Sequence, residues 1–147
     1  MSRNYYSEIN LHLVWHTKES APLLTEDIAL ATHAYLKKRI VETPGLYVHA
    51  IGGIETHIHL ALTIQPTYCI SDLVGQLKGA SAHETNQRYS HRGKVLEWQA
   101  GYGVVSFGTR DLPWVVAYIE NQREHHHRGT TAARLEQISA NEEKATA

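Results

Sequence analysis

Between Tyr6 and Thr17 the segment Ser7-Glu8-Ile9-Asn10-Leu11-His12-Leu13-Val14-Trp15-His16 alternates apolar and polar residues, with Ile9, Leu11, Leu13 and Trp15 in phase. A period of two puts successive side chains on opposite faces of an extended chain, so the segment predicts a half-buried strand whose apolar face needs a covering layer. Helical patterns supply that layer. Thr25 before Glu26-Asp27 opens one that runs through Ile28, Leu36 and Ile40 until Pro44-Gly45 stops it. Leu46 to Ile51 reads as a strand, Gly52-Gly53 as a tight turn or bulge, and Thr56 to Ile64 as the partner strand. Ser71 caps a second helix with the stripe Ile70, Leu73, Val74 and Leu77, in which Gly75 and Gly79 suggest close packing. Trp98 to Phe107 reads as a last strand broken by glycines. Asp111 caps a final helix with Pro113 in its first turn and Leu112, Val115, Val116 and Ile119 as its apolar stripe.

The order β-α-β-β-α-β-α is the ferredoxin-like, RRM-like arrangement with one C-terminal helix added. The expected fold class is therefore α+β, an antiparallel sheet with helices on one face and edge strands open to dimerisation. The 147 residues fit a single domain over 1–129, followed by a small, charged tail over 130–147 that reads as frayed helix or disorder. No apolar run approaches the roughly 18 to 20 residues that span a bilayer. The segment Met1-Ser2-Arg3-Asn4-Tyr5-Tyr6 lacks a signal-peptide core. A cytosolic protein without a membrane partner is expected.

A net charge of −1 gives no global signature of a nucleic-acid binder, so any such binding has to use local patches. The single cysteine, Cys69, excludes an internal disulfide. Histidine, at 11 copies, is the enriched residue, and it is the commonest metal ligand. His57 and His59 lie two apart on a predicted strand, so both side chains leave one face and can converge on a cation while Ile58 points away. By itself the pair fits solvated or core histidines equally well. In the predicted last helix Tyr118 and Gln122 are four apart, on one face, where a nucleophile and a ligand could serve the same site. His126, one turn further, could add a ligand or a phosphate contact.

Several segments together resemble a known family. They are Leu11-His12-Leu13-Val14-Trp15-His16-Thr17-Lys18, His57-Ile58-His59-Leu60, Leu77-Lys78-Gly79-Ala80-Ser81, Trp98-Gln99-Ala100-Gly101-Tyr102, and Tyr118-Ile119-Glu120-Asn121-Gln122 followed by His125-His126. In this order they resemble the single-tyrosine HUH transposases of the insertion-sequence two-hundred and six-hundred-and-five group, REP-associated relatives included. The resemblance covers about Tyr6 to Arg128. It implies a homodimer that binds hairpins in single-stranded DNA, with cleavage and rejoining through a 5′-phosphotyrosine link. It further implies that His57, His59 and Gln122 bind a divalent metal, Mg²⁺ or Mn²⁺, and that Tyr118 is the nucleophile. In relatives the tyrosine helix can serve the partner's histidines, so the site can be composite. A prokaryotic, nucleoid-associated location follows from the same likeness. On ligand type alone two imidazoles and an amide oxygen also suit Zn²⁺, Co²⁺ or Ni²⁺, while Mg²⁺ prefers oxygen. Two departures stand out: Thr56 where the group often has aspartate before the first histidine, and Glu19-Ser20 where an aromatic and an arginine usually follow the lysine.

For DNA, Lys18, Lys78, Arg88 and Arg92 are the expected phosphate contacts, and Trp98, Tyr102 or Trp114 could stack on unpaired bases. Three other readings compete. A host-retained, non-mobile relative would nick or only bind hairpin DNA. A non-catalytic ferredoxin-like binding module would carry aromatics where His57 and His59 stand. A metal-dependent hydrolase would attack with water.

Overall fold

A computed structural model describes residues 4–138 of the chain. The alternating segment forms β1, Ile9–His16, which pairs antiparallel with β3, His57–Ile64, on one side and with β4, Gly103–Phe107, on the other. Strand β2, Leu46–Ile54, completes the sheet beyond β3, giving the order β2-β3-β1-β4 of the expected ferredoxin-like fold. Helices α1, Glu26–Val41, and α2, Ile70–Arg88, supply the covering layer. Leu11, Leu13 and Trp15 pack there with Ile58, Leu60 and Leu62 of β3, against Leu36 and Ile40 of α1 and Leu73, Val74 and Leu77 of α2.

Strand β3 is buried on both faces, because a second layer covers the side of the sheet opposite that core. It consists of α3, Leu112–Glu120, α4, Gln122–Arg128, and α5, Ala133–Glu136. The one-face arrangement thus describes α1 and α2, while the added C-terminal helices take the other face. Val115 and Ile119 of α3 pack there on Ala50 and Ala61. Small residues let the helix come close: a Cβ on Gly52 would stand 2.3 Å from the Ile119 carbonyl oxygen. At the far side of the sheet, a Cβ on Gly103 would stand 1.9 Å from the carbonyl oxygen of Gln137. The chain after α5 therefore lies directly on the β4 backbone.

Several local expectations are corrected. Gly52-Gly53 lie inside β2, and the turn falls at Glu55-Thr56, because the backbone approach of α3 demands glycine in the strand itself. Cys69, not Ser71, precedes the first residue of α2. Gly75 and Gly79 face open space rather than a close neighbour. Trp98 makes only an isolated bridge to Thr17, outside β4. The last predicted helix breaks at Asn121, whose φ of −108° and ψ of 27° leave the helical range; its side-chain amide donates to the Ala117 carbonyl at 2.8 Å. Within the predicted tail, α5 is ordered by the burial of Leu135 and Ile138, and residues 139–147 lie outside the described residues. No helix among the described residues is long and apolar enough to cross a membrane.

The two kinds of glycine make opposite predictions. Gly52→Ala is expected to lower unfolding stability by about 1–3 kcal/mol, since helix backbone has to move. Gly75→Ala, exposed in mid-helix, is expected to raise it by about 0.5–1 kcal/mol. Urea unfolding of the two variants beside the parent chain measures both signs.

Candidate functional site

The site grows from the period of β3. Its even positions enter the α1–α2 core, so His57 and His59 emerge together on the opposite face, with ring centroids 4.9 Å apart. Antiparallel pairing brings two more histidines from β1 to the same face. His16 stacks on His57 at 4.9 Å, and His12 Nε2 lies 2.8 Å from His59 Nδ1. His57 Nδ1 is 3.0 Å from the hydroxyl of Thr56, the residue that stands in place of the aspartate expected there. With each Nδ1 engaged on the sheet side, both Nε2 atoms face the cleft below α3 to α5.

Helix α3 lays Tyr118 over His59, edge to face at 6.0 Å, between the stacked rings of Trp114 and His125. Although the helix breaks before it, Gln122 also turns inward as the first residue of α4. Its Oε1 is 3.4 Å from His57 Nε2 and 3.1 Å from His126 Nε2. Tyr118, Gln122, His57, His59 and His126 are thus brought together within one chain.

One member was absent from the sequence reading. Glu136, at the end of α5, places Oε1 3.1 Å from Nε2 of both His57 and His126, and Oε2 3.3 Å from His59 Nε2. The Tyr118 hydroxyl donates to the same Oε2. Leu135 and Ile138, three apart in an otherwise polar tail, were the signal that this segment packs.

The donor atoms of His57, His59, His126 and Glu136 all lie within 4.8 Å of one another. His59 Nε2 is buried and makes no aligned hydrogen bond. A buried imidazole nitrogen facing a carboxylate and a side-chain amide oxygen is a donor set that fits a divalent cation. Electrostatics agree. Burial pushes His12 down to about 3 and also lowers His59, so both rings are neutral and the latter can act as a ligand. Burial and then the Glu136 carboxylate push Tyr118 up to about 12. Burial alone would raise Glu136, but the imidazoles of His57 and His59 outweigh it and hold the carboxyl well below its usual range.

The expected phosphate contacts lie outside this cleft. Lys18 pairs with Glu97 at 2.7 Å, and Arg92 pairs with Asp27 at 2.8 Å while lying over the Tyr89 ring. Arg88 is exposed at the end of α2. Lys18 lies just after β1, Arg92 is tied to the start of α1 through Asp27, and Arg88 lines a groove with Ala31, Tyr35 and Lys38 of α1, in the layer on the other face of the sheet. Lys78 is otherwise occupied, donating to the carbonyls of Gln99 at 2.7 Å and Gly101 at 2.9 Å. Trp98 packs edge-on against Trp15 and donates to Ser81, whereas Trp114 is largely exposed beside Tyr118.

The chain was compared with known proteins. Residues 5–122 match a family model described as "Transposase IS200 like". The ISDra2 transposase TnpA of Deinococcus radiodurans is 28% identical over 126 residues, covering 83% of this chain and 89% of that protein. A crystal structure of a Deinococcus radiodurans R1 protein assigned as a transposase is similar with a TM-score of 0.65 at 28% identity, covering 83% of this chain and 96% of the other. The structure of a REP-associated tyrosine transposase bound to a REP hairpin matches with a TM-score of 0.58 at 18% identity, covering 89% of this chain and 75% of that one, a likeness of fold.

Removing the shared carboxylate has a calculable cost. Glu136→Ala leaves buried donors unpaired and is expected to destabilise the fold by about 1–3 kcal/mol. Breaking the exposed Glu124–Arg128 pair is expected to cost under about 0.5 kcal/mol. The unfolded carboxyl protonates near 4.5 while the folded one stays charged below that, so this stabilisation is full above 4.5 and is lost as pH falls. The gap between parent and Glu136→Ala should accordingly narrow in denaturant titrations below pH 4.5.

Proposed function

The chain belongs to the IS200-like family of transposases, and on that footing we propose that it cleaves and rejoins single-stranded DNA at hairpin ends in a divalent-metal-dependent reaction. Tyr118 is the nucleophile; His57, His59 and Gln122 hold the cation, Mg²⁺ or Mn²⁺, with His126 and Glu136 within reach of it. The observation that carries this reading is the single Glu136 carboxylate, which touches the Tyr118 hydroxyl on one oxygen and lies within 3.3 Å of His59 on the same atom. Nucleophile and cation ligands are therefore separated by one small group.

The reaction follows from that placement. A bound divalent cation would neutralise charge on a phosphoryl oxygen and favour the phenolate of Tyr118. The phenol is held toward the cleft by Glu136 and by the backbone N–H of Ala132, which donates to its oxygen at 2.9 Å. On attack the Tyr118 oxygen would bond to phosphorus as the bond to the 3′-oxygen breaks, the phenolic proton being lost to solvent and the departing 3′-oxygen taking up a proton from water to leave a 3′-hydroxyl. The released 3′-hydroxyl can later attack the phosphotyrosine, so strand ends are rejoined without an external energy source. Tight packing of Tyr118 between Trp114 and His125 limits its motion, and the exposed face of Trp114 offers an unpaired base a stacking surface.

Lys18, Arg88 and Arg92 would follow the phosphate backbone outside the cleft, with Lys78 shaping the loop at residues 99–101. The substrate is a hairpin in single-stranded DNA of a prokaryotic nucleoid, and two copies act together as a homodimer. In this chain Tyr118 faces its own histidines, so each copy carries a whole set.

With Mn²⁺ and a single-stranded hairpin oligonucleotide, the parent protein is expected to leave a covalent 5′ adduct that migrates with protein in denaturing gels. Tyr118→Phe should abolish the adduct, and cleavage persisting without it would assign attack to water. His57→Ala should lower cleavage by at least about 100-fold while hairpin affinity in a gel-shift assay changes little.

A further inference from the structure

His12 is an unusual residue to bury. It lies at the middle of β1, with no exposed surface, in a position where an apolar side chain would serve packing better than an imidazole. The β1–β3 register pairs His12 with Ala61 and Val14 with His59, so the two histidines are diagonal neighbours on one face of adjacent strands. Their rings are tilted by 47° with centroids 4.9 Å apart, and the Nε2 to Nδ1 distance of 2.8 Å is that of a good hydrogen bond.

This contact has a consequence for the other nitrogen of His59. A neutral imidazole carries one proton, and the nitrogen that ligates a cation has to be the unprotonated one. His59 Nε2 faces Glu136 and the cleft, so the proton of a metal-bound His59 resides on Nδ1 and needs an acceptor. The acceptor in place is Nε2 of His12. His57 is served differently, by the Thr56 hydroxyl, which turns to suit either tautomer. For His59 the orienting group is another buried ring, whose Nε2 accepts when its own proton sits on Nδ1.

We propose that His12 is a positioning residue of the metal centre, its Nε2 accepting the Nδ1 proton of His59 so that His59 presents an unprotonated Nε2 to the cation. The inference rests on the metal-binding reading given above. It assigns to the opening strand a role in the chemistry without contact with DNA or cation.

Calorimetric titration of the full chain with Mn²⁺ alone, without DNA, separates the two ideas. Removing such an orienting partner typically weakens binding by about 10- to 100-fold. His12→Phe, similar in size but without an acceptor, is expected to stay folded, with a melting temperature lowered by the unpaired His59 Nδ1 proton, and to show a loss in that range. His12→Gln, whose amide oxygen can accept the same proton, is expected to recover most of the affinity. If His57→Ala loses Mn²⁺ binding and His12→Phe does not, the positioning role is overturned while the metal reading stands. If the parent itself binds no Mn²⁺, both fall. Equal weakness of His12→Gln and His12→Phe would also overturn the role, because the acceptor would then be irrelevant. Should His12→Phe not fold, the parent protein decides: with Zn²⁺ bound, long-range ¹H–¹⁵N correlations should show the His59 proton on Nδ1, and a proton on Nε2 would refute the assignment.

Discussion

Everything at the site depends on a strand that is buried twice. Strand β3 has an apolar layer on one face and a helical layer on the other, so its alternate residues enter two different environments with no solvent between them. Leu60 and Leu62 lock the strand to the first core, and this sets the odd positions in register for the second layer, which packs on them in turn. Imidazoles at those positions are kept from swinging away by the rings and hydrogen bonds around them. Antiparallel pairing with β1 extends the same logic, since it stations His12 and His16 beside the pair in β3. Rigid strands are a better base than loops for groups whose geometry has to survive the arrival of a charged ligand.

The second layer solves an electrostatic problem that the first creates. Buried histidines turn their Nε2 atoms into a cleft closed off from solvent, and a phenol beside them needs an acceptor. Glu136 answers both needs with one carboxylate, and its negative charge is tolerated because imidazole and phenol groups surround it. Burial and then the same carboxylate push Tyr118 up to about 12, so its phenol is protonated at neutral pH. A phosphodiester, itself an anion, meets a favourable field there only after positive charge has been added.

The sequence made much of this legible. Period-two alternation located β1, a run of β-branched and apolar residues located β3, helical spacing located α1 and α2, and their order gave the sheet topology. The half-buried expectation for β1 failed because the C-terminal helices bury its second face. His57 and His59 were readable because strand geometry alone puts them together. Tyr118 and Gln122 were found from their spacing and from family resemblance, although the helix they were assigned to is broken at Asn121. What escaped depended on contacts between distant backbones. Gly52 looked like a turn because nothing nearby in sequence shows that Ile119 will lie on it. Glu136 looked like one more tail charge, since its partners lie at least ten positions away in sequence.

Gly103 ties the edge of the sheet to its centre. Because the carbonyl of Gln137 rests where a side chain would begin, the β4 backbone bounds the path of the chain after α5, alongside the burial of Leu135 and Ile138. Backbone against backbone has almost no mechanical slack. A substituent at position 103 would push on the segment that follows Glu136, and so bear on the carboxylate beside the tyrosine.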